Sequence, residues 1–292
     1  MSTVSSLRGW PDLKFGCGFV AAGLLLVSAG MAFGSGALRS PWDGARVKAM
    51  EAAYACPAVA HLPVDFVTDE FYALNDPTHS IVDPVRMKAY AESAGPPKED
   101  GNEAVEAADA YRTTGSMAGA RCAVAHIEAN ARSRSLTGKM SSNQAYYVQG
   151  WVLGAEAIAY LKVRDSGEIS REQAAVILPW MKQVATQARD YYDDKEKKGG
   201  ASSLNNHDYW AAVELAAVGI AANDRSDFDW AMTAAKGGVA AIRSDGTLPQ
   251  EMRRGKRALH YHLYAAAPLV MLAELGLPNG VDLYAASDGA LK

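Results

Sequence analysis

From Gln144 to Lys162 the residues Tyr147, Trp151, Ala155, Ile158 and Leu161 fall on one stripe of a 3.6-residue period. Between Ser170 and Tyr192 the pattern returns as Ile177, Trp180, Val184, Ala188 and Tyr191, with Pro179 expected to bend or split that helix. Strict apolar–polar alternation, the mark of a half-buried strand, is hard to find anywhere. Alanine is abundant and β-branched residues are sparse, so the chain reads as all-α.

The remaining segments fit that class. Helices are expected over Ala45–Tyr54, from Pro84 with Asp83 as its cap, from Ala104 to Tyr111 after the Pro96-Pro97 break, and through Met117, Arg121, Val124, Ile127 and Ala131. Asn205 or Asn206 caps a helix to Ala222. Another runs from Asp227 to Ile242, ended by the Asp245-Gly246 turn, and a last one from Ala258 to Leu275 with Gly276 as its C-cap. Asp193–Ser203, charged and rich in small residues, reads as an exposed loop. Residues 57–83 form a long irregular stretch with Pro57, Pro63 and Pro77, a candidate lid. Antiparallel helical hairpins joined by short links suggest an incomplete α/α toroid, whose concave face can hold an extended polymer. No short-period repeat is visible.

The 292 residues, 49% hydrophobic, suffice for one large domain or two small ones. A net charge of −4 gives no global attraction for nucleic acid, so any field for an anionic substrate must be local. The densest basic run is Arg253, Arg254, Lys256 and Arg257. At the N-terminus, Arg8 and Lys14, the apolar run Phe19–Val27 and the small residues near Ser35 read as a secretory signal over 1–37, cleaved between 32 and 38. An uncleaved anchor is the alternative, but the glycines at 30, 34 and 36 suit a processing site better than a stable span. A periplasmic domain over 38–292 follows, with no stable membrane span after cleavage, and a monomer is the simplest expectation. In that compartment Cys56 and Cys122 are expected to form a disulfide, against the alternative of two buried thiols.

Two runs carry the chemistry: Asn206-His207-Asp208-Tyr209-Trp210 and Arg254-Gly255-Lys256-Arg257-Ala258-Leu259-His260-Tyr261-His262. An amide, an imidazole, a guanidinium and a phenol suit removal of a carbon-bound proton next to a carboxylate. The C5 proton of a 4-linked uronic acid is a very weak acid until donors quench that carboxylate and stabilise the enolate-like intermediate. Asn206, Arg254 and His207 can donate. Tyr261 would serve as base and then acid, its phenol pKa of about 10 lowered by Arg254, Lys256, Arg257 and His260. In mannuronate and glucuronate the C5 proton and the O4 leaving group share a side, so one phenol serves both; guluronate would need a second group, with His207 the obvious one. Taken singly, an Asn-His at a helix start is more often a cap, and a basic run a solvated face. His260 and His262, two apart, make a poor metal pair, and neither metal nor cofactor is expected.

The chain resembles the alginate lyases of polysaccharide lyase family 5. The resemblance rests on Asn205–Ala212, Phe228-Asp229-Trp230-Ala231, Asp245-Gly246 leading to Glu251, Arg254–Tyr264, Pro268-Leu269 and Gly280–Leu283. Upstream it includes Gln144–Tyr147, Trp151, Ala159-Tyr160-Leu161 and Cys122. It implies an incomplete α/α toroid and a metal-free lyase acting on an acidic polysaccharide. Asn206, His207 and Arg254 would neutralise the carboxylate and Tyr261 would be base and acid. Gln144, Tyr147 and His260 would line the cleft, and Arg257 and Trp210 are carried as further substrate contacts. Asp208 stands where the family commonly has Ser, and the lid segment reads Asp76-Pro77-Thr78-His79 where some members are basic. A lyase for polyglucuronate or another 4-linked uronan, and a non-catalytic polysaccharide-binding or export protein, are the competing readings.

Overall fold

Burial, more than local preference, orders the helices. In the computed structural model, which describes residues 36–199 and 205–292, every residue from Val152 to Val163 and from Asp208 to Ile220 is buried. These stretches belong to α3 (Asn143–Val163) and α5 (Asn206–Ala222), which pack on each other. A helix apolar all round must lie inside others. Around them stand α1 (Pro84–Thr114), α2 (Met117–Ser133), α4 (Arg171–Lys197), α6 (Arg225–Ala240), the short α7 (Pro249–Met252) and α8 (Ala258–Gly276). Helix α1 packs on α2 and α3, and α5 packs on α4, α6 and α8. The regular structure among the described residues is helical, with isolated β-bridges and no strand. No helix among them is long and apolar enough to cross a membrane. The expected signal segment lies, but for its last two residues, outside the described residues.

The caps follow side-chain chemistry. Asp83 accepts from Val85 and Arg86 N–H, Ser142 from Ala145 N–H, and Asn205 from His207 N–H. Ser170 and Gln173 form a reciprocal capping box on α4. Asn205 is therefore the cap of α5, and the Asn206 side chain is left free for another partner.

Four expectations fail. Residues 45–54 are not helical: Met50 N–H donates to Gly115 O at 2.8 Å and Met117 N–H to Met50 O at 3.0 Å, laying the segment across the α1–α2 turn. Ten residues hold a helix weakly by themselves, and here pairing wins. Gly115 permits the approach: at φ 75°, a Cβ there would lie 2.0 Å from Lys48 O. Next, α1 runs unbroken through Pro96 and Pro97, because its second half packs Ala104, Ala107, Ala108 and Tyr111 into the core. Helix α4 likewise continues through Pro179 and on to Lys197, into the expected loop. Lastly, Gly276 is helical, and Gly280 takes the left-handed turn. A Cβ on Gly276 would lie 2.7 Å from Val281 O, so glycine is needed there for contact.

The Cys56–Cys122 disulfide forms, joining the extended segment to α2. Residues 57–83 are irregular but anchored. Buried Asp100 accepts from Ala60 N–H at 3.0 Å, His126 Nδ1 at 2.8 Å and Asn130 Nδ2 at 2.6 Å, while Ser135 Oγ donates to Leu62 O. Leu62, Phe66, Phe71 and Tyr72 pack with Tyr90, Val148 and Tyr261 in a second apolar cluster. Truncating a fully buried side chain such as Leu215 to alanine would cost about 2–5 kcal/mol.

Candidate active site

Tyr261 lies near the start of α8, its ring buried and its hydroxyl hydrogen-bonded to that of Tyr72 from the irregular segment. The Arg254 guanidinium stands 3.4 Å from the centre of the Tyr261 ring and 5.6 Å from that of Tyr72, and Arg257 stands 5.7 Å from Tyr72. Burial first, then Tyr72, push the Tyr261 hydroxyl above its ordinary pKa, and Arg254 and Arg257 oppose them only in part. The sequence led us to expect the cations to set this balance; desolvation outweighs them.

Arg254 is also tied to the tip of the lid candidate. Its Nε donates to Thr78 O at 3.1 Å and Nη2 to His79 O at 2.7 Å. Two of five N–H donors are thereby engaged and three remain for an anion. The tip is built on Asp76, whose carboxylate accepts from Thr78 Oγ1 and from the N–H groups of Thr78, Ser80 and Ile81. These bonds, Thr78 Oγ1 foremost, hold its pKa well below the usual carboxylate range. His79, at φ 47°, reaches Glu70 at 3.0 Å.

On the helical side, the His207 imidazole stacks on Tyr147 with centres 3.8 Å apart and planes within 14°. Burial, followed by Arg254, Lys195 and His79, lowers the His207 pKa to about 3. The ring is neutral at physiological pH, and its buried Nδ1 has no hydrogen-bond partner. Asn206 is fully buried: its N–H and Nδ2 both reach Glu251, with Nδ2 3.0 Å from each carboxylate oxygen. One N–H can cover both oxygens, leaving the second to donate elsewhere. Asp208 is buried, and burial followed by Glu196 raises its pKa to about 7. About half of the negative charge that Asp208 would carry is therefore withdrawn at pH 7.

The expected cleft residues divide. Tyr147 meets His207, Arg257 stands beside Tyr72, and exposed His260 contacts Tyr261 edge to face with centres 5.2 Å apart. Gln144 is buried and hydrogen-bonds the Tyr90 hydroxyl. Trp210 is buried, and its Nε1 donates to Tyr264 O, which places it behind Tyr264. His262 is structural, Nδ1 bonding Ala258 O and Nε2 accepting Leu248 N–H.

Three neighbours were not identified from the sequence. Tyr72 sits in an irregular segment without periodicity. Glu251 was noticed only as part of a resemblance. Lys195, read as part of a charged loop, lies on the last turn of α4 and donates to Tyr147 Oη at 3.1 Å.

The alginate lyase family model matches residues 68–292. A polysaccharide lyase of Stenotrophomonas maltophilia is 34% identical over 240 residues, covering 81% of this chain and 70% of that protein. An alginate lyase of Pseudomonas fluorescens is 37% identical over 59% of this chain and 46% of its own length, and one of Azotobacter vinelandii 32% identical over 81% and 64%. The chain thus spans only about half to two thirds of the length of several relatives it matches. Among solved structures, alginate lyase A1-III of Sphingomonas species A1 superposes with a TM-score of 0.68 at 24% identity, covering 82% of this chain and 67% of that one. A variant of that lyase complexed with a tetrasaccharide gives the same TM-score. The α/α toroid is therefore the fold of this chain.

Proposed function

The chain belongs to the alginate lyase family, and from that premise we propose that it cleaves 4-linked mannuronate by β-elimination, leaving a 4,5-unsaturated uronate end. The observation that carries this reading is the Arg254 guanidinium against the Tyr261 ring, a cation and a phenol sharing one side of the cleft. Arg254, the free Asn206 N–H and neutral His207 quench the C6 carboxylate and make the C5 proton removable. Tyr261 takes that proton as phenolate, a form that Arg254 and Arg257 favour and burial opposes, and returns it to O4 as the glycosidic bond breaks. One group serving both atoms fits a sugar whose C5 proton and O4 lie on the same side, hence mannuronate over guluronate. The carboxylate is quenched by side chains, so no step calls for a metal. Export to the periplasm fits the N-terminal sequence and the disulfide.

The test is ultraviolet absorbance of the unsaturated product on polymannuronate, polyguluronate and polyglucuronate, with and without chelator. Tyr261→Phe should lower kcat on polymannuronate by at least about a thousandfold while leaving the fold intact. Native activity in that variant would overturn the mechanism. Preference for polyglucuronate would move the substrate to another uronan, and binding without product would make the protein a polysaccharide carrier.

A further inference from the structure

Among the described residues several partly buried cations have a carboxylate partner, whereas Lys98, Lys195, Arg254 and Arg257 have none. Arg112 meets Asp165, Arg164 meets Asp43, Lys182 meets Asp224 and Asp227, and Arg189 meets Asp227. Lys195, also half-buried, has no ion pair among the described residues. Its ammonium is held by aromatic groups instead: 3.1 Å from Tyr147 Oη, 5.3 Å from the centre of the Tyr147 ring and 4.6 Å from that of Tyr191. Tyr147 also meets the Tyr191 ring edge to face and stacks on His207, so one aromatic ring separates Lys195 from the proposed carboxylate-quenching set.

We propose that Lys195 receives the carboxylate of a second uronate, in a subsite adjoining His207, so that the cleft reads two neighbouring acidic sugars rather than one. The inference rests on the lyase reading of the site. Three arguments support it. A partly desolvated cation without a counter-ion attracts an anion far more strongly than a solvated one. The bond to Tyr147 uses one of three ammonium donors and leaves two for an incoming carboxylate. The C-terminal turn of α4 favours a cation at that position and keeps it there. Along a 4-linked uronan every sugar carries a carboxylate, so the neighbour of the scissile residue supplies the missing counter-ion.

The experiment compares steady-state kinetics of the native chain, Lys195→Met, Lys195→Arg and Tyr147→Phe on polymannuronate over a range of salt. Lys195→Met should raise KM about tenfold with kcat within twofold, the signature of lost ground-state binding, and should flatten the rise of KM with salt. Lys195→Arg should restore both. On polymannuronate with part of its carboxylates reduced to alcohols, the native KM should move toward that of Lys195→Met, and the variant should change little. An unchanged KM overturns the proposal. So does a fall in kcat as steep as that in kcat/KM, or a Tyr147→Phe variant that reproduces the Lys195→Met KM and salt slope, since Lys195 would then only position Tyr147. If the native chain yields no product, the lyase reading fails separately, and equilibrium binding of polymannuronate to the same four proteins decides on Lys195.

Discussion

The two sides of the candidate site are built differently. Asn206, His207 and Tyr147 stand on α5 and α3 and are fixed by burial, stacking and the Glu251 carboxylate. Tyr72, Thr78 and His79 come from an irregular segment and are joined to Arg254 and Tyr261 by a few hydrogen bonds and ring contacts. The helical side is set when the core packs. On the loop side Tyr72 is held by the second apolar cluster, whereas the Thr78–His79 tip is tied to Arg254 through two backbone carbonyls, the kind of contact that opens at low cost. Substitutions on the helical side should therefore alter the chemistry or the stability, whereas those on the loop side should alter how fully the site is assembled.

Glu251 offers the largest effect with which to break this contrast. Its carboxylate fixes the Asn206 amide, and in the proposed mechanism it acts through Asn206 as a positioning residue that leaves one N–H for the substrate. Glu251→Gln, nearly isosteric, should lower kcat about a hundredfold with little change in KM. In an Asn206→Ala background the same change should add almost nothing, because the two share one function. Additive losses in that double-mutant cycle would mean that Glu251 supports the fold and not the amide. A smaller effect is expected across the cleft: Tyr72→Phe removes the hydroxyl bonded to Tyr261 but keeps the ring contact with Phe71, 4.4 Å between centres. A loss of about tenfold in kcat is expected, measured by product absorbance. If Tyr72→Phe proved the more damaging of the two, the loop side would be the one that sets the chemistry.

What could be read from the sequence follows the same division. The stripes through Tyr147–Leu161 and Ile177–Tyr191 located α3 and α4, and the two contiguous runs at 206–210 and 254–262 located most of the site, because contiguous residues on one helix or turn stay neighbours on folding. The extended course of residues 45–54 depends on pairing with Gly115 and Met117, and the helix through Pro96-Pro97 depends on the packing of its second half; neither leaves a local mark. The partners that complete the site are distant in sequence: Tyr72 and Tyr261 are 189 residues apart, Lys195 and Tyr147 are 48 apart, and Asn206 and Glu251 are 45 apart. Trp210 lies one helical turn from Asn206, on the same face of α5, and its burial behind Tyr264 depends on the packing of α8, which leaves no local mark in the sequence.

The smallest effect concerns stability, and it separates the two helical neighbours by sign. Buried Asp208 has a folded pKa of about 7, against about 3.9 for an unfolded aspartate. From about pH 4 to pH 7 the folded chain holds this proton more tightly than the unfolded one, so the contribution of Asp208 to stability declines across that window and is constant above it. His207 acts in the other direction: its folded pKa of about 3 lies below the unfolded value of about 6.5, so its contribution is lost as the pH falls from about 6.5 to 3. Between about pH 4 and 6.5 the two slopes oppose each other, and the native chain should show a shallow pH dependence there. Asp208→Asn removes the first slope alone. Its melting temperature relative to the native protein should rise from pH 4 to pH 7 and then level off, by about 5 °C for a domain of this size if burial costs on the order of 2 kcal/mol. A difference that stays constant with pH, or that shrinks as the pH rises, would show that Asp208 is charged in the folded chain.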